Sequence, residues 1–352
     1  MKKKLLAIVI GAAAVLPTAV MADVSFYGRA DVSVDFLDDG AKYSETNLSS
    51  NSSRIGFKGD HEINPGLKAF FQVEQEILFG SDSGSTFNTN DTFVGLSGNF
   101  GAVQAGRFDS PFKVARGPAN LFGSRLGDMR NLTRVGDGRY DERYDNTLQY
   151  TTPNMNGFVG KLAYSLHKGE SAKEGHESNS VSAALHYTKG ALDAAIAYEK
   201  AEEDTRTDGA LSIGAREGLR LAAAYKLTDN FKMVGFYQTV EHDSDNLSKF
   251  ENDALTSDTY GLGGEYAIAK NTTLKAMWMT RDADVDNANS DMMVVGVEHK
   301  LDKAVRVYAN YAVVDNDDNM DLTPWGQGRS ATPDGAMGEK ASGFSVGLRY
   351  DF

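Results

Sequence analysis

Apolar and polar residues alternate with period two along most of this chain. In GFSVGLRYDF, residues 343–352, Phe344, Val346, Leu348, Tyr350 and Phe352 point one way, and Ser345, Gly347, Arg349 and Asp351 the other. Successive side chains of a strand face opposite sides of a sheet, so this stretch is a strand with one apolar and one wet face. Residues 24–36 repeat the pattern: Val24, Phe26, Gly28, Ala30, Val32, Val34 and Phe36 oppose Ser25, Tyr27, Arg29, Asp31, Ser33 and Asp35. In 52–60, Ile55 and Phe57 oppose Arg54, Lys58 and Asp60, and similar runs occupy 67–77, 219–227 and 304–311. No segment of comparable length has the helical period.

The connections alternate as well. Short ones carry turn chemistry at 64–66, 99–101, 153–157, 189–190, 228–230, 270–271 and 302–303. Between them lie long polar stretches near 38–50, 80–90, 109–144, 168–179, 201–216, 242–256, 282–290 and 315–341. Eight long and seven short connections predict sixteen strands. A soluble sandwich has no reason to keep every second loop short. A transmembrane barrel does, with short turns on the periplasmic side and long loops outside. Lipid cannot satisfy an open sheet edge, so such a sheet must close on itself. At about sixteen strands the interior is too wide for side chains to fill, and an aqueous lumen remains. The predicted fold class is therefore all-β: a transmembrane antiparallel β-barrel.

Composition narrows the reading. The chain starts MKKKLLAIVIGAAAVLPTAVMADVSF, a basic n-region, a short apolar core and the small-residue site Val20-Met21-Ala22. This is the form of a secretory signal peptide spanning 1–22, leaving 23–352 as one barrel domain. Loss of three lysines leaves 33 basic and 49 acidic residues and a formal charge of −16. Such a surface disfavours nucleic acid as a partner. There is no cysteine, hence neither disulfide nor thiolate chemistry. After the leader, no apolar run approaches the roughly 20 residues of a membrane helix.

The chain resembles the general diffusion porins of the Gram-negative outer membrane along its whole mature length. The resemblance is carried by VSFYGRADVS at 24–33, SSRIGFKGDHEINPGLKAFFQVE at 52–74 and FVGLSGNFGAVQAGR at 93–107, then by YDNTLQYTTPNMNGFVGKLAYS at 144–165 and the terminal decapeptide. It implies a homotrimer of barrels, each with its own water-filled pore for small hydrophilic solutes and ions. It implies contact with outer-membrane lipid and lipopolysaccharide, no cofactor and no catalytic step. It also implies that Tyr350 and Phe352 are read by the outer-membrane assembly machinery. A variant on the same barrel selects one substrate class, such as phosphate, other anions, sugars or chitin oligomers.

The resemblance further implies that the third long loop, 109–144, folds inward and narrows the pore. Opposed charges across such a narrowing would filter polar solutes. The basic wall candidates are Arg29, Arg54 and Lys58, which have inward parity, and Arg107, whose parity is ambiguous beside Gly106. The loop candidates are Arg116, Arg125, Arg130, Asp128 and Asp137. The family loop supplies mainly negative charge, whereas this one is rich in arginine. Its arginines either pin the loop to wall carboxylates such as Glu74 and Glu76 or line the pore.

Two other clusters attract notice. His176, Ser178 and Asn179 resemble the trio of the outer-membrane phospholipase, but they lie in a polar loop beside Lys173 and Glu174 and read as solvated. Asp315, Asp317, Asp318 and Asp321 form an oxygen-rich loop without the glycine or closing glutamate of a calcium hand. The histidines lack metal spacing, and no metal site is expected. Aromatic residues near strand ends, among them Phe36, Tyr164, Tyr198, Trp278, Tyr311, Tyr350 and Phe352, suit the interfacial girdles of a barrel.

Overall fold

A computed structural model describes residues 23–80, 87–136, 140–166, 179–202, 215–244 and 247–352. The expected signal peptide, Asp137, and the His176 and Ser178 of the phospholipase-like trio lie outside the described residues.

The wall consists of β1 (Asp23–Asp38), β2 (in two parts, Ser44–Ser50 and Arg54–Asn64), β3 (Leu67–Ile77), β4 (Phe87–Gly98), β5 (Gly101–Asp109), β6 (Arg143–Thr151), β7 (Phe158–Ser165) and β8 (Ser180–Lys189). It continues through β9 (Leu192–Ala201), β10 (Ala215–Lys226), β11 (Phe231–Asp243), β12 (Ser257–Ala269), β13 (Thr272–Ala283), β14 (Ser290–Lys300), β15 (Val305–Asn316) and β16 (Ala341–Asp351). Each strand pairs antiparallel with its sequence neighbours, and β16 pairs with β1, which closes a sixteen-strand barrel. Both parts of β2 pair with β1: Ser50 lies opposite Val32 and Arg54 opposite Arg29. Between them Ser52 takes a left-handed conformation (φ 53°), a break of one turn in the wall.

The expected long connection at 38–50 is mostly strand, and only 39–43 turn. Its polar sequence SETNLSS offers a single outward apolar residue, Leu48, so alternation could not reveal it.

The alternation sorts the two faces as lipid and water require. Outward Phe26, Phe57, Val94, Leu162, Leu262, Val346 and their kind are exposed, while inward Asp31, Ser33, Asp35, Ser182 and Ser345 are buried. An aromatic belt circles the short-turn rim, where Phe26 packs on Phe57 with ring centroids 5.3 Å apart and on Phe352 at 5.8 Å. At the closing seam, Gly28 and Phe352 exchange backbone hydrogen bonds of 2.8 and 3.0 Å. The Phe352 ring lies over Gly28, where any Cβ would overlap it. Gly28→Val is therefore expected to displace the ring and oppose closure by about 1–3 kcal/mol. The readout is the fraction of refolded protein that keeps the faster, unheated electrophoretic band; an unchanged fraction refutes this role for the seam.

One departure from the simple pattern positions the site. Along β10 to β15 the inward face is apolar over part of its length: Ala222, Ala224, Val234, Phe236, Met277, Met279, Met292, Val294, Ala312 and Val314 are all buried. Something apolar must cover them.

Candidate functional site

The cover is the long connection between β5 and β6. It leaves the rim, enters the lumen and lies along the inner wall. Its first turn, α1 (Pro111–Val114), starts at Ser110, whose side chain accepts from the Lys113 amide, with a proline in the first turn. Phe112 is fully buried, and its amide donates to Ser182 Oγ of β8 at 2.9 Å. A short 3₁₀ turn at Gly117–Ala119 follows, then Leu121, Phe122, Leu126, Met129 and Leu132 sink onto the apolar strip of the wall. A second turn, α2 (Arg130–Thr133), packs on β13. Burying a side chain of this size is worth roughly 1.5–3 kcal/mol, so these five alone hold the loop firmly.

The loop arginines anchor it. Arg125 lies 3.2 Å from Asp31 of β1 and 2.9 Å from Glu298 of β14, and its guanidinium stacks on the Tyr308 ring at 3.7 Å. Arg116 bonds the Lys113 carbonyl at 2.9 Å and Asp141 at 3.2 Å. Arg130 clasps Asp128 at 2.8 Å, and the Asp128 carboxylate also accepts from the Arg130 and Ser124 amides. Asp128 is fully buried. Burial works against its charge, yet Arg130 holds its carboxyl below the usual carboxylate range. Asp128 therefore shapes a corner of the loop and does not face the pore. The loop's cations are answered by Asp31 and Glu298 of the wall, by Asp91 of β4, and by Asp109, Asp128, Asp141 and Glu142 within the connection itself. Glu74 instead accepts from Tyr27 at 2.9 Å and Asn90 at 2.9 Å and pairs with Arg54 at 3.4 Å.

The far end of the loop is held from the wall. Buried Arg220 of β10 donates to the Phe112 carbonyl at 2.8 Å and to Asp141 at 2.9 Å. Glu199 of β9 accepts from the Asp141 amide at 2.8 Å and Tyr144 at 2.7 Å.

A second loop shares the lumen, and the sequence pattern did not announce it. The connection between β15 and β16 turns inward, burying Trp325 against the same apolar cluster. The Gly127 amide donates to the Pro324 carbonyl at 2.8 Å, which ties the two loops together. Arg329 and Asp35 form a fully buried ion pair. The break in β2 receives this loop: Ser52 Oγ donates to the Gly328 carbonyl at 3.1 Å, and the Ser50 amide donates to Ser330 Oγ at 2.8 Å. A lone tryptophan in an acidic loop was the available signal. So were Ala-Met-Trp-Met at 276–279 and Met-Met-Val-Val at 292–295, apolar on both faces as doubly covered strands are.

What remains open to water lies toward the short-turn end. Arg54, Arg29, Arg349 and Arg306 sit on four adjacent strands (β2, β1, β16, β15), with Arg54 opposite Arg29 and Arg349 opposite Arg306 in register. Asp351 answers three of them, Arg29 at 3.0 Å, Arg349 at 2.9 Å and Arg306 at 3.2 Å. Glu298 is shared by Arg125, Arg306 and Lys275. Lys58 also faces the lumen, above the Tyr27 ring at 5.1 Å. The belt thus holds more positive than negative charge. Arg29, Arg54 and Lys58 lie on this stretch of the inner wall, with Arg306, Arg349 and Lys275 beside them.

Arg107 does not belong. It shares the outward parity of Val103 and Ala105, lies opposite Thr92, and pairs with Asp145 on the outside of the barrel. The next residue, Phe108, is the one that turns inward, where it meets Phe93 edge-on at 5.8 Å. Gly106, at φ 146°, sits beside the register shift between β5 and β6.

The oxygen-rich segment 315–321 is engaged locally: Asp315 pairs with Lys340 at 2.6 Å and Asp317 accepts from the Asn289 amide at 3.0 Å. Among the described residues no group of three His, Cys, Asp or Glu is placed to hold a metal.

A family model described as Gram-negative porin matches residues 7–319. This chain belongs to that family. It is 28% identical to outer membrane porin protein 32 of Delftia acidovorans over 371 aligned positions, covering 100% of both chains. Its fold matches the anion-selective porin from Comamonas acidovorans with a TM-score of 0.80 at 25% identity, over 94% of this chain and 100% of the other. It also matches the trimer form of OmpT from Vibrio cholerae with a TM-score of 0.70 at 21% identity, over 94% of this chain and 99% of that one. The porin is an outer-membrane protein whose water-filled channel passes small hydrophilic solutes and ions by passive diffusion. Family and fold point to a channel rather than an enzyme.

Proposed function

We propose that this porin works as a homotrimer and passes small anions in preference to cations. The observation that carries the selectivity is Asp351, a single carboxylate shared by the guanidiniums of Arg29, Arg306 and Arg349 on a wall open to water. A narrowed lumen with excess fixed positive charge concentrates counter-ions and repels co-ions. The described outer loops also carry acidic residues, among them Asp38, Asp39 and Asp284, whose fields are screened within about 8–10 Å at ordinary salt. The structurally similar Comamonas porin is itself anion-selective, and the Vibrio OmpT forms a trimer. In this reading the loop residues Arg116, Arg125, Arg130 and Asp128 set the bore by holding the loop, while Arg29, Arg54, Lys58, Arg306 and Arg349 set the sign. Tyr350 and Phe352, 43% and 44% exposed on the outer face, are presented where assembly machinery would read them.

The test is the zero-current potential of single channels in a planar bilayer under a tenfold potassium chloride gradient. It is expected to take the chloride-selective sign, with currents in steps of three. A potassium-selective sign removes the selectivity reading. Single unit steps together with a monomeric mass in detergent remove the trimer.

A further inference from the structure

The lumen has a second wall. β7 and β8 stand half-way round the sixteen-strand ring from β15 and β16, across from the arginine belt. Their inward faces carry Ala163, Ser165, Ser182 and Ala184, all buried, and then, toward the short turns, Lys161 and His186. These two are diagonal neighbours: Lys161 lies opposite Ala184, and Val159 lies opposite His186, a spacing that long side chains bridge. On the other side of Lys161 stands Thr151 of β6, directly opposite, with Gln149 Nε2 donating to its Oγ1 at 3.3 Å. Lys161 makes no ion pair or hydrogen bond among the described residues. His186 Nε2 is buried with no hydrogen-bond partner. An unpaired ammonium beside an unanswered ring nitrogen lacks one thing, an acceptor that carries negative charge.

We propose that Lys161 and His186 hold small oxyanions in transit, and that the contact is complete only when the imidazole is protonated. The inference rests on the anion preference proposed above and names its class: dianions whose oxygens accept from both groups at once. A neutral imidazole donates from one nitrogen; imidazolium donates from both and adds a full charge. The ring turns about a soft torsion, so either nitrogen can reach the lumen. The charged groups around it are Lys161 from β7, Asp193 from β9, and Asp109 and Lys113 at the start of the inward loop. Both carboxylates are engaged elsewhere: Asp193 accepts from Thr188 Oγ1 at 2.9 Å, and Asp109 meets Lys113 at 2.9 Å and Arg143 at 3.1 Å. An oxyanion between Lys161 and the ring therefore offsets two adjacent positive charges, and its binding and the proton's favour each other reciprocally. The other described histidines offer no such contact. His61 and His299 share the outward parity of Phe57 and Val295, and His242 is bonded to Asn252 at 2.8 Å.

The probe is sulfate, which keeps both charges from pH 8 to pH 5, added as its potassium salt to channels carrying chloride current in a planar bilayer. The half-blocking concentration is expected to fall about fivefold between pH 8 and pH 5, the effect of one added charge about 4 Å away in water-like surroundings. His186→Gln is expected to keep the pH 8 value throughout. Lys161→Gln is expected to weaken block at both pH values, and Lys161→Arg to restore it. The unheated electrophoretic band shows that each variant has folded. Absence of block, block that ignores pH in the parent, a pH dependence that survives in His186→Gln, or block unchanged in Lys161→Gln each overturns the inference. The zero-current potential in chloride alone, on the same channels, separates it from the reading beneath it. A chloride-selective sign with block that ignores pH removes this contact and leaves the anion preference standing. A potassium-selective sign removes the preference and the inference with it.

Discussion

The triple variant Arg29→Gln/Arg306→Gln/Arg349→Gln is expected to lose anion preference and cross to cation preference. In the parent, the three guanidiniums surround Asp351 at 2.9–3.2 Å, so the local charge is about two units positive. After substitution Asp351 stands as an unanswered carboxylate on the same wet wall. A unit charge about 7 Å from a permeating ion in water-like surroundings acts with roughly 0.6 kcal/mol, a factor of about three in local concentration. Reversing the balance by three units therefore shifts the local concentration of each ion by a factor of about twenty, in opposite senses for chloride and potassium, so the permeability ratio changes by well over tenfold at low salt and by less at high salt. Glutamine keeps the length and donates hydrogen bonds, so the wall register should survive. The measurement is again the zero-current potential in a salt gradient, with open-channel conductance as control. A potential that stays at the parent value would falsify the assignment of selectivity to this belt.

Asp141→Ala is expected to free the far end of the inward loop. The carboxylate holds Arg220 at 2.9 Å and Arg116 at 3.2 Å, and both guanidiniums are taken out of water by the loop itself. Removing one member of a buried charge cluster leaves uncompensated charge and costs about 3–5 kcal/mol. The apolar contacts of Phe122, Leu126 and Met129 keep the middle of the loop on the wall, so release should be local: larger and noisier current steps rather than loss of the barrel. The same carboxylate sets a pH signature. Burial opposes its charge, but Arg220 and Arg116 hold its titration below the usual carboxylate range. Its anchoring is thus complete at neutral pH and near pH 4–5 (around the ordinary carboxylate value of about 3.9), and is lost only as pH falls through the depressed value. Parent channels should be quiet from pH 7 to 5 and grow noisy in stronger acid, whereas Asp141→Ala should be noisy throughout. Parent noise rising already between pH 7 and 5 would count against this anchor.

The wall was legible from the sequence because its physics is one-dimensional. Lipid on one side and water on the other imprint a period of two, as at Phe344 through Phe352, and turn residues mark the ends. Parity alone assigned Arg29, Arg54 and Lys58 to the inward face. It gave no answer for Arg107, where a glycine and a register shift disturb the count; only the inward turn of Phe108 settles its side. The loops were harder because their partners are remote in sequence. Arg125 meets Asp31 and Glu298, 94 and 173 residues away, and no local pattern announces that. The inward lie of 317–340 is a contact between two irregular segments, Gly127 with Pro324, and is decided by packing. The reading of Asp128 as a pore carboxylate failed for a related reason. A charged residue in a polar loop looks solvated until the loop's own corner encloses it.

The methionine and valine strip of β13 to β15 separates circumference from calibre. The cylinder's girth is fixed by its hydrogen-bonded ladder, but the passage is whatever the two inserted segments leave uncovered. Substitutions confined to those segments and to the strip beneath them could widen or pinch the conduit without touching a single rung of the ladder. Counting staves therefore says little about what such a cask will pour.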